Sequence, residues 1–315
     1  MSTSSPRVSR WRRLWAVVLS ISPGSGHLLL GRWWRGTVWM GALLLSQAAL
    51  PFTGFPGFVL MLGCFVGAAV DVARLPPREQ GVPRVGWVLL GLMCFWTVSS
   101  VVGRTTRRMV AEPFRVSSGS MQPTLYMGDQ FYTDKTVGSP LRWRAVERGD
   151  VIVFKAPPQP EQHFVMRAVA LAGDVVMIRA GRLHLGGGPV EWAPLGGCEG
   201  LGLASEGMAA SCRRYEETLG ERPHEVLLNE EPGGWSFNFP SKSVKCPRGM
   251  EEREDGCVVP AGHVFVLGDN RDNALDSRVW GPLPLENVVA AARFIHFSWM
   301  PGGGVRWERL GARVR

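Results

Sequence analysis

Hydrophobic residues are distributed unevenly along the chain, with long apolar runs near the N-terminus and short alternating segments after them. A helix that crosses a bilayer needs roughly 20 apolar residues, with about 17 as a lower limit. Three runs approach this length, at about 37–53, 54–73 and 86–103. An earlier run, 14–30, is broken by Ser22-Pro23-Gly24 and predicts a re-entrant or interfacial segment. We therefore expect a transmembrane region over residues 1–110.

A cleavable signal peptide is the alternative interpretation of the basic N-terminal end. Pro23 and His27 interrupt the apolar stretch that such a peptide would need, and further apolar runs follow it. These features favour an anchor that stays on the protein.

After residue 110 the pattern changes to short apolar segments separated by turn residues such as Gly149-Asp150 and Gly173-Asp174. Four segments are strand-like, at 151–154, 164–170, 175–178 and 263–267. Helical periodicity is poor in this half, so we expect a mostly β, antiparallel domain over 111–299. Within it, residues 186–256 are rich in Gly, Glu and Cys and predict an insertion, and residues 300–315 form a basic tail.

The formal net charge of +8 raises the question of nucleic-acid binding. Nucleic-acid-binding proteins cluster their basic residues on one face or tail. In this chain many arginines stand in short groups beside apolar runs, at 7–13, 32–35 and 74–84. That placement is typical of loops flanking membrane spans. We therefore expect contact with a lipid bilayer and no nucleic-acid partner.

Two of the six cysteines, Cys64 and Cys94, fall in apolar runs and are typical small buried residues. The other four lie in the predicted β domain: Cys198, Cys212, Cys246 and Cys257. None has the CxxC spacing of a zinc or redox site. We expect two disulfides with local pairing, 198 with 212 and 246 with 257, although four cysteines allow three pairings.

A serine-rich turn follows the apolar region, in the sequence Phe114-Arg-Val-Ser-Ser-Gly-Ser-Met-Gln-Pro-Thr-Leu125. Small residues let the backbone approach a ligand closely, and neighbouring N–H groups can form an anion pocket. Taken alone, these properties fit an ordinary surface loop equally well.

Three later stretches change that interpretation. The first is Arg148-Gly-Asp-Val-Ile-Val-Phe154, and the second is Phe164-Val-Met-Arg-Ala-Val-Ala-Leu-Ala-Gly-Asp174. The third, 259–281, contains Gly268-Asp-Asn-Arg-Asp-Asn273 and then Asp-Ser-Arg and Trp-Gly. Together with the serine turn, their order and spacing resemble the bacterial signal peptidase I (leader peptidase) family. The resemblance covers roughly 112–180 and 258–299.

The resemblance implies a membrane-apposed β domain that cleaves signal peptides after small-x-small sequences with a Ser/Lys dyad. Ser120 matches the nucleophile, and its backbone N–H and the Ser118 hydroxyl match the donors that stabilise an oxyanion. Arg167, Asp276 and Arg278 match an ion-pair cluster that braces the site. No cofactor is implied.

Two positions depart from the family pattern, and both concern the base. Met166 stands where the family has its catalytic lysine, and Ala274 stands where a serine hydrogen-bonds that lysine. A buried neutral lysine works as a base because desolvation depresses its pKa. A thioether accepts no proton at a relevant pH, so the two replacements together predict a site without its base.

Three other residues are candidates for a replacement base. His163 is an odd number of residues from Met166, which places the two on opposite faces of a regular strand. Lys155 ends the preceding strand, and Lys135 matches a family position near the site that is not the base. We expect none of the three to serve.

The acidic and amide groups of the last motif, at Asp269, Asn270 and Asp272, resemble metal ligands in type. Short side chains of this kind more often bond backbone groups in tight turns. We therefore expect no metal.

The expected orientation of the chain in the membrane follows from the positions of its basic residues and its cysteines. If the basic loops at 32–35 and 74–84 are cytoplasmic, segment 86–103 leads the chain out of the cytoplasm. The arginines at 104, 107 and 108 oppose this orientation, while the four cysteines favour it because disulfides persist in oxidising compartments. We expect a multi-pass protein of the bacterial cytoplasmic (inner) membrane with an extracytoplasmic β domain.

Two functions remain open at this point. One is a signal peptidase I-like serine endopeptidase that removes signal peptides from exported preproteins but is impaired by the missing base. The other is an inactive relative that binds signal peptides or a partner, such as an intact signal peptidase.

Overall fold

The computed structural model describes residues 6–53, 55–75, 85–138, 143–157, 159–179, 181–199, 201, 212–229, 245–300 and 302–315. The chain divides into two compact units, Met1–Val110 and Ala111–Arg315.

The first unit is helical. Its helices are α1 (Pro6–Leu19), α2 (Ser25–Leu29), α3 (Trp33–Thr53), α4 (Phe55–Arg74) and α5 (Val85–Met109). The last three contain the expected spans, with residue 54 outside the described residues. Among the described residues, α4 is the one helix that is long and apolar enough to cross a membrane. Large apolar side chains such as Leu45, Val66 and Leu89 are exposed on these helices, so their outer faces suit an apolar surrounding.

A tight turn separates α1 from α2 at the expected break. Gly24 has a φ of +94° there. A Cβ atom at this position would lie 2.3 Å from the carbonyl oxygen of Gly36. Only glycine tolerates both the backbone conformation and the close approach of α3.

A polar cluster joins three helices of the helical unit, although nothing in the apolar pattern predicts it. The Nε2 atom of the fully buried His27 lies 2.9 Å from Oδ2 of Asp71. The same carboxylate accepts hydrogen bonds from Nη1 of Arg35 at 2.8 Å and Nε1 of Trp39 at 3.1 Å. These bonds join α2, α3 and α4 and compensate for the burial of the polar groups.

The second unit is mostly β, as expected, and its strands pair antiparallel throughout the named elements. The strands are β1 (Pro113–Arg115), β2 (Asp129–Asp134), β3 (Val151–Lys155), β4 (His163–Leu171), β5 (Val175–Arg179), β6 (Arg182–Leu185), β7 (Gly188–Pro189), β8 (Glu191–Gly197), β9 (Cys212–Leu219), β10 (Arg222–Asn229), β11 (Glu251–Arg253), β12 (Gly256–Val258), β13 (His263–Leu267), β14 (Leu283–Pro284) and β15 (Val288–Ser298). A short helix, α6, spans Ser277–Trp280.

Three sheets are formed. The largest has the order β1-β2-β15-β3-β4-β13-β14, the second β11-β12-β5-β6-β7, and the third β10-β9-β8. The third sheet lies entirely within the sequence predicted to be an insertion, of which residues 200, 202–211 and 230–244 are outside the described residues.

Two apolar cores lie on opposite faces of β13, the last strand but one of the largest sheet. Along β13, Val264 and Val266 belong to one apolar cluster, whereas Phe265 and Leu267 belong to the other. Successive side chains of a strand point to opposite faces, so β13 is buried on both sides. This double burial fixes the position of the residues that directly follow it, beginning at Gly268.

The basic tail packs along β15. Arg313 forms a β-bridge with Phe294, and the N–H of Val314 donates to the carbonyl oxygen of Arg293 at 2.9 Å. Its last residue, Arg315, supplies a carbonyl oxygen 2.9 Å from Nη2 of Arg167. The tail therefore belongs to the body of the second unit.

Both expected disulfides are present. Cys198 and Cys212 join β8 to the start of β9, and Cys246 and Cys257 join the end of the insertion to β12. Cys64 and Cys94 are free; the first is buried, as expected, but the second is exposed. Cys94 lies on α5, whose outer face also exposes apolar residues, so its exposure follows from that face.

Removal of the disulfide between residues 198 and 212 by a double substitution to Ala should destabilise the β unit. The bridge closes a segment with a sequence separation of 14. Loss of such a closure costs about 3 kcal/mol in the chain-entropy account. Calorimetry of the detergent-solubilised protein should show a lower Tm. The control is Cys94→Ala, which removes a free thiol and should leave the Tm of the β unit unchanged. An equal Tm for wild type and the double variant without the disulfide would contradict the prediction.

Candidate active site

The serine turn lies between β1 and β2 and is anchored by the residues that follow it. The side chains of Met121 and Leu125 are buried in the main core. Ser118 stays exposed and Ser120 half-buried, with their Oγ atoms 3.1 Å apart. The structure therefore brings the two serines together and holds them at the surface.

The loop after β13 contacts the backbone of this turn. The N–H of Asn270 donates to the carbonyl oxygen of Ser120 at 3.0 Å, and its side-chain amide donates to that of Gly119 at 3.1 Å. A Cβ atom at Gly268 would lie 2.7 Å from the Ser120 oxygen and 2.3 Å from the Cβ of Ala274. Only glycine fits between the serine turn and Ala274.

A buried ion pair holds the start of the same loop. Arg167 on β4 contacts Asp269 through two hydrogen bonds, Nε to Oδ1 at 2.8 Å and Nη2 to Oδ2 at 2.7 Å. The Thr124 hydroxyl donates to the same carboxylate at 2.5 Å. Burial alone would raise the pKa of Asp269, but the charge and hydrogen bonds of Arg167 outweigh it, so the pKa lies below its ordinary value.

A second buried pair holds the end of the loop. Arg278 contacts Asp276 through Nε at 2.7 Å and Nη2 at 2.8 Å, and Oδ2 of Asp276 accepts the N–H of Gly268 at 3.1 Å. Arg278 also donates to the carbonyl oxygen of Arg271. The three residues expected in one cluster are thus divided between two pairs, Arg278 with Asp276 and Arg167 with Asp269.

The motif residues expected to bond backbone groups within tight turns instead reach other segments. Asp269 binds a side chain on β4, and Asn270 binds the serine turn. Oδ2 of Asp272 accepts the N–H of Asn229 on β10 at 2.7 Å. Their short polar side chains therefore connect the loop to three different elements.

Met166 is buried among apolar side chains, with 1% of its surface exposed. Its register partner is Ile152 on β3, and both belong to the main core. On the other side of β4, Leu267 pairs with Arg167, so the next residue, Gly268, follows beside Met166. Ala274 is also buried. Met166 and Ala274 are therefore both buried near Gly268.

The candidate replacement bases are placed elsewhere on β3 and β4 or are already paired. The register between β3 and β4 is regular from His163 to Met166, which puts these two side chains on opposite faces. His163 packs edge-on against Phe114, with ring centroids 5.3 Å apart. Lys155 is exposed, and Nζ of Lys135 lies 3.1 Å from a carboxylate oxygen of Glu112.

One buried group was missed by the sequence analysis. Glu217 on β9 contacts Arg271 of the motif loop, Oε1 to Nη1 at 3.1 Å and Oε2 to Nη2 at 2.5 Å, and both residues are buried. Oε2 also lies 3.3 Å from Nε2 of His224. A glutamate within the irregular insertion carries no motif, so only the structure reveals its partner.

The groups around Glu217 keep its carboxylate ionised. Burial would raise its pKa, but the charge of Arg271, the neighbouring imidazole of His224 and the hydrogen bonds from Arg271 lower the pKa to about 2. Burial lowers the pKa of His224, and the charge of Arg167 adds to that effect. The glutamate is therefore ionised at neutral pH.

Known proteins of one family are similar to this chain in sequence. A family model described as signal peptidase, peptidase S26, matches residues 87–299. The chain is 33% identical over 219 residues to the signal peptidase I of Pseudomonas fluorescens, covering 61% of this chain and 67% of that protein. It is 33% identical over 207 residues to that of Aquifex aeolicus, covering 61% and 78% respectively. A solved signal peptidase I from Enterococcus faecalis aligns with a TM-score of 0.26 and 20% identity, over 47% of this chain and 97% of that one.

The lowered pKa values of Glu217 and Asp269 predict acid sensitivity of the β unit. A group whose pKa is lower in the folded than in the unfolded state stabilises the fold above its unfolded pKa, and this contribution is lost as the pH falls. For Glu217 the loss should run from its ordinary value of 4.5 down to about 2, and Asp269 acts in the same direction. Denaturant titrations between pH 5 and pH 2 should show a falling free energy of unfolding.

The variant Glu217→Gln tests the assignment. It removes one titrating group, so its free energy of unfolding should start lower at neutral pH, where Arg271 has lost its charged partner, and fall less steeply in acid. An unchanged slope in this variant would contradict the assignment of the lowered pKa to Glu217.

Proposed function

This chain belongs to the signal peptidase family, peptidase S26, and from that premise we propose that it is a membrane serine endopeptidase of the signal peptidase I type whose cleavage of signal peptides is impaired. Its substrates would be the signal peptides of exported preproteins, bound at the turn that carries Ser120. The observation that supports impairment is the burial of Met166 among apolar residues.

The nucleophilic half of the site is complete. The Ser120 hydroxyl has a hydroxyl neighbour, Ser118, at 3.1 Å. In the proposed reaction Ser120 attacks the scissile carbonyl carbon, and its own N–H and the Ser118 hydroxyl stabilise the oxyanion. Each such donor contributes roughly 3 kcal/mol because it meets charge that develops only in the transition state.

The group that would accept the proton of the Ser120 hydroxyl is missing. Attack by a neutral serine requires a base for the hydroxyl proton, and the Ser118 hydroxyl is far too weak a base for this. Met166 and Ala274 offer a thioether and a methyl group instead of an amine and its hydroxyl partner. Loss of one member of a catalytic unit leaves a residual acceleration of roughly 10³–10⁴ over water from binding and the oxyanion donors.

The proposed location is the bacterial cytoplasmic membrane, with several helices crossing the bilayer and the β unit on the extracytoplasmic side. The apolar α4 and the exposed apolar faces of α3 and α5 support a bilayer environment. The two disulfides of the β unit support an oxidising compartment.

The alternative is an inactive relative that binds signal peptides or an intact signal peptidase. The specific observation in its favour is that both positions concerned with the base have changed together, while Ser120 and the surrounding ion pairs remain. A binding protein would keep the loop that contacts the peptide and have no need for a base.

Cleavage of a purified preprotein tests the impairment. Wild type should cleave slowly and Ser120→Ala more slowly still, because the hydroxyl attacks without a base to activate it. Equal rates for the two proteins would favour the inactive relative instead. The double substitution Met166→Lys with Ala274→Ser should gain activity of about 10²–10⁴-fold, the usual contribution of a general base. That gain should vanish when Ser120→Ala is added.

The matched control is Met166→Leu with Ala274→Ser, which has the same added hydroxyl but no amine and should stay at the wild-type rate. Circular dichroism confirms that each variant is folded. Wild-type cleavage that depends on Ser120 and equals or exceeds the rate of the lysine-containing variant would contradict the proposal.

Peptide binding tests whether the proposed site recognises signal peptides. A fluorescent signal peptide with small residues at the cleavage site should bind wild type and Ser120→Ala with similar Kd, because the hydroxyl contributes little to the ground state. A peptide of the same length with large residues at those positions should bind more weakly. Equal Kd values for the two peptides would contradict recognition of signal peptides.

A further inference from the structure

The inserted sheet is joined to the loop that follows β13. The N–H of Leu227 on β10 donates to the carbonyl oxygen of Asp269 at 2.8 Å, and Leu227 forms a parallel bridge with Asn270. Two residues further on, the N–H of Asn229 donates to the side chain of Asp272 at 2.7 Å. The end of β10 is thus joined to the loop by one backbone hydrogen bond and one hydrogen bond to a side chain.

A side-chain contact reinforces this junction from the neighbouring strand. Glu217 on β9 holds the guanidinium of Arg271 at two points, and both side chains are buried. Nε of Arg271 donates to the carbonyl oxygen of Gly268 at 3.2 Å. Arg271 therefore connects Glu217 to Gly268, the first residue of the loop that contains Arg271.

The opposite side of the loop contacts the serine turn. Asn270 donates from its backbone to Ser120 and from its side chain to Gly119. The residue before Arg271 is therefore the one that fixes the carbonyl groups of the nucleophile's turn. A continuous series of contacts runs from Glu217 through Arg271 and Asn270 to Ser120.

We propose that Glu217, a residue of the inserted sheet, is a positioning residue for Ser120 and acts through Arg271. It touches neither the substrate nor the reacting atoms. The inference depends on the proposed function only for the role of Ser120. It assigns to the insertion the task of holding the nucleophile's turn in one conformation.

The energetics favour such a role. A buried guanidinium that loses its carboxylate becomes an uncompensated buried charge, which strongly destabilises its surroundings. Arg271 lies in the short segment between two anchored ends, so its escape towards water would draw Asn270 away from Ser120. The effect should therefore be largest in the loop and the serine turn.

Hydrogen exchange of the full chain in detergent, followed by mass spectrometry, tests the proposal without any substrate. In Glu217→Ala, amides in 117–123 and 268–274 should exchange at least about tenfold faster than in wild type. The matched control is Glu216→Ala, because Glu216 is the adjacent β9 residue and is exposed. It should exchange as wild type does.

A second variant guards against loss of the fold. The double substitution Glu217→Met with Arg271→Met removes both buried charges, a replacement that proteins often tolerate without loss of stability. It should keep the Tm of wild type within a few degrees, yet still show faster exchange in 117–123, because the bond from Arg271 to Gly268 is gone.

Peptides from β15, at 288–298, serve as the internal reference. Faster exchange in 117–123 and 268–274 with unchanged exchange in β15 supports positioning. A uniform increase over the whole β unit, or no increase in the folded double variant, overturns it. Since no peptide is bound in this measurement, failure of signal-peptide binding would leave the result interpretable, and the two proposals fail separately.

Discussion

The buried ion pair between Arg167 and Asp269 is the contact on which the rest of the β unit's functional surface depends. Its guanidinium also donates to the carbonyl oxygen of Gly149 and to Thr124, so one side chain joins β4, the turn before β3, the serine turn and the loop after β13. Neither charge reaches water. Breaking a buried pair by removing one partner typically costs 3–5 kcal/mol, so these four segments keep their arrangement only while the pair is complete.

Because of this constraint, the shape of the site does not depend on the side chain at position 166. Along β4 the side chains alternate, so Arg167 serves the ion pair while Met166 packs with Ile152 in the apolar core. A lysine at 166 would be desolvated there, which is the condition that makes its amine a base but also weakens the fold. Methionine fills the same volume without that cost. Stability and catalysis thus make opposite demands at this position, and the loop beside it is held by other residues.

Local patterns predicted much of this structure, and distant contacts account for the rest. Alternation and turn residues identified β3, β4, β5 and β13, and short sequence separation gave both disulfides. The partner of Arg167 could not be read in this way, since 102 residues separate it from Asp269. Aspartate is common in turns, and only the buried contact with Arg167 identifies Asp269 as its counter-ion. Glu217 is harder still, because its sequence surroundings have no periodicity at all.

The insertion likewise contributes residues outside the motifs that hold the motif loop in place. The Cys198–Cys212 disulfide packs against Leu227, the residue whose N–H donates to the loop. Cys212 also pairs in register with Asn229, which binds Asp272. The covalent bond therefore fastens the end of the hairpin that meets the loop, while Glu217 acts five residues further along β9. In an oxidising compartment the disulfide would form and strengthen the junction that the buried charges also stabilise. The order of the serine turn would then depend on the compartment in which the domain folds.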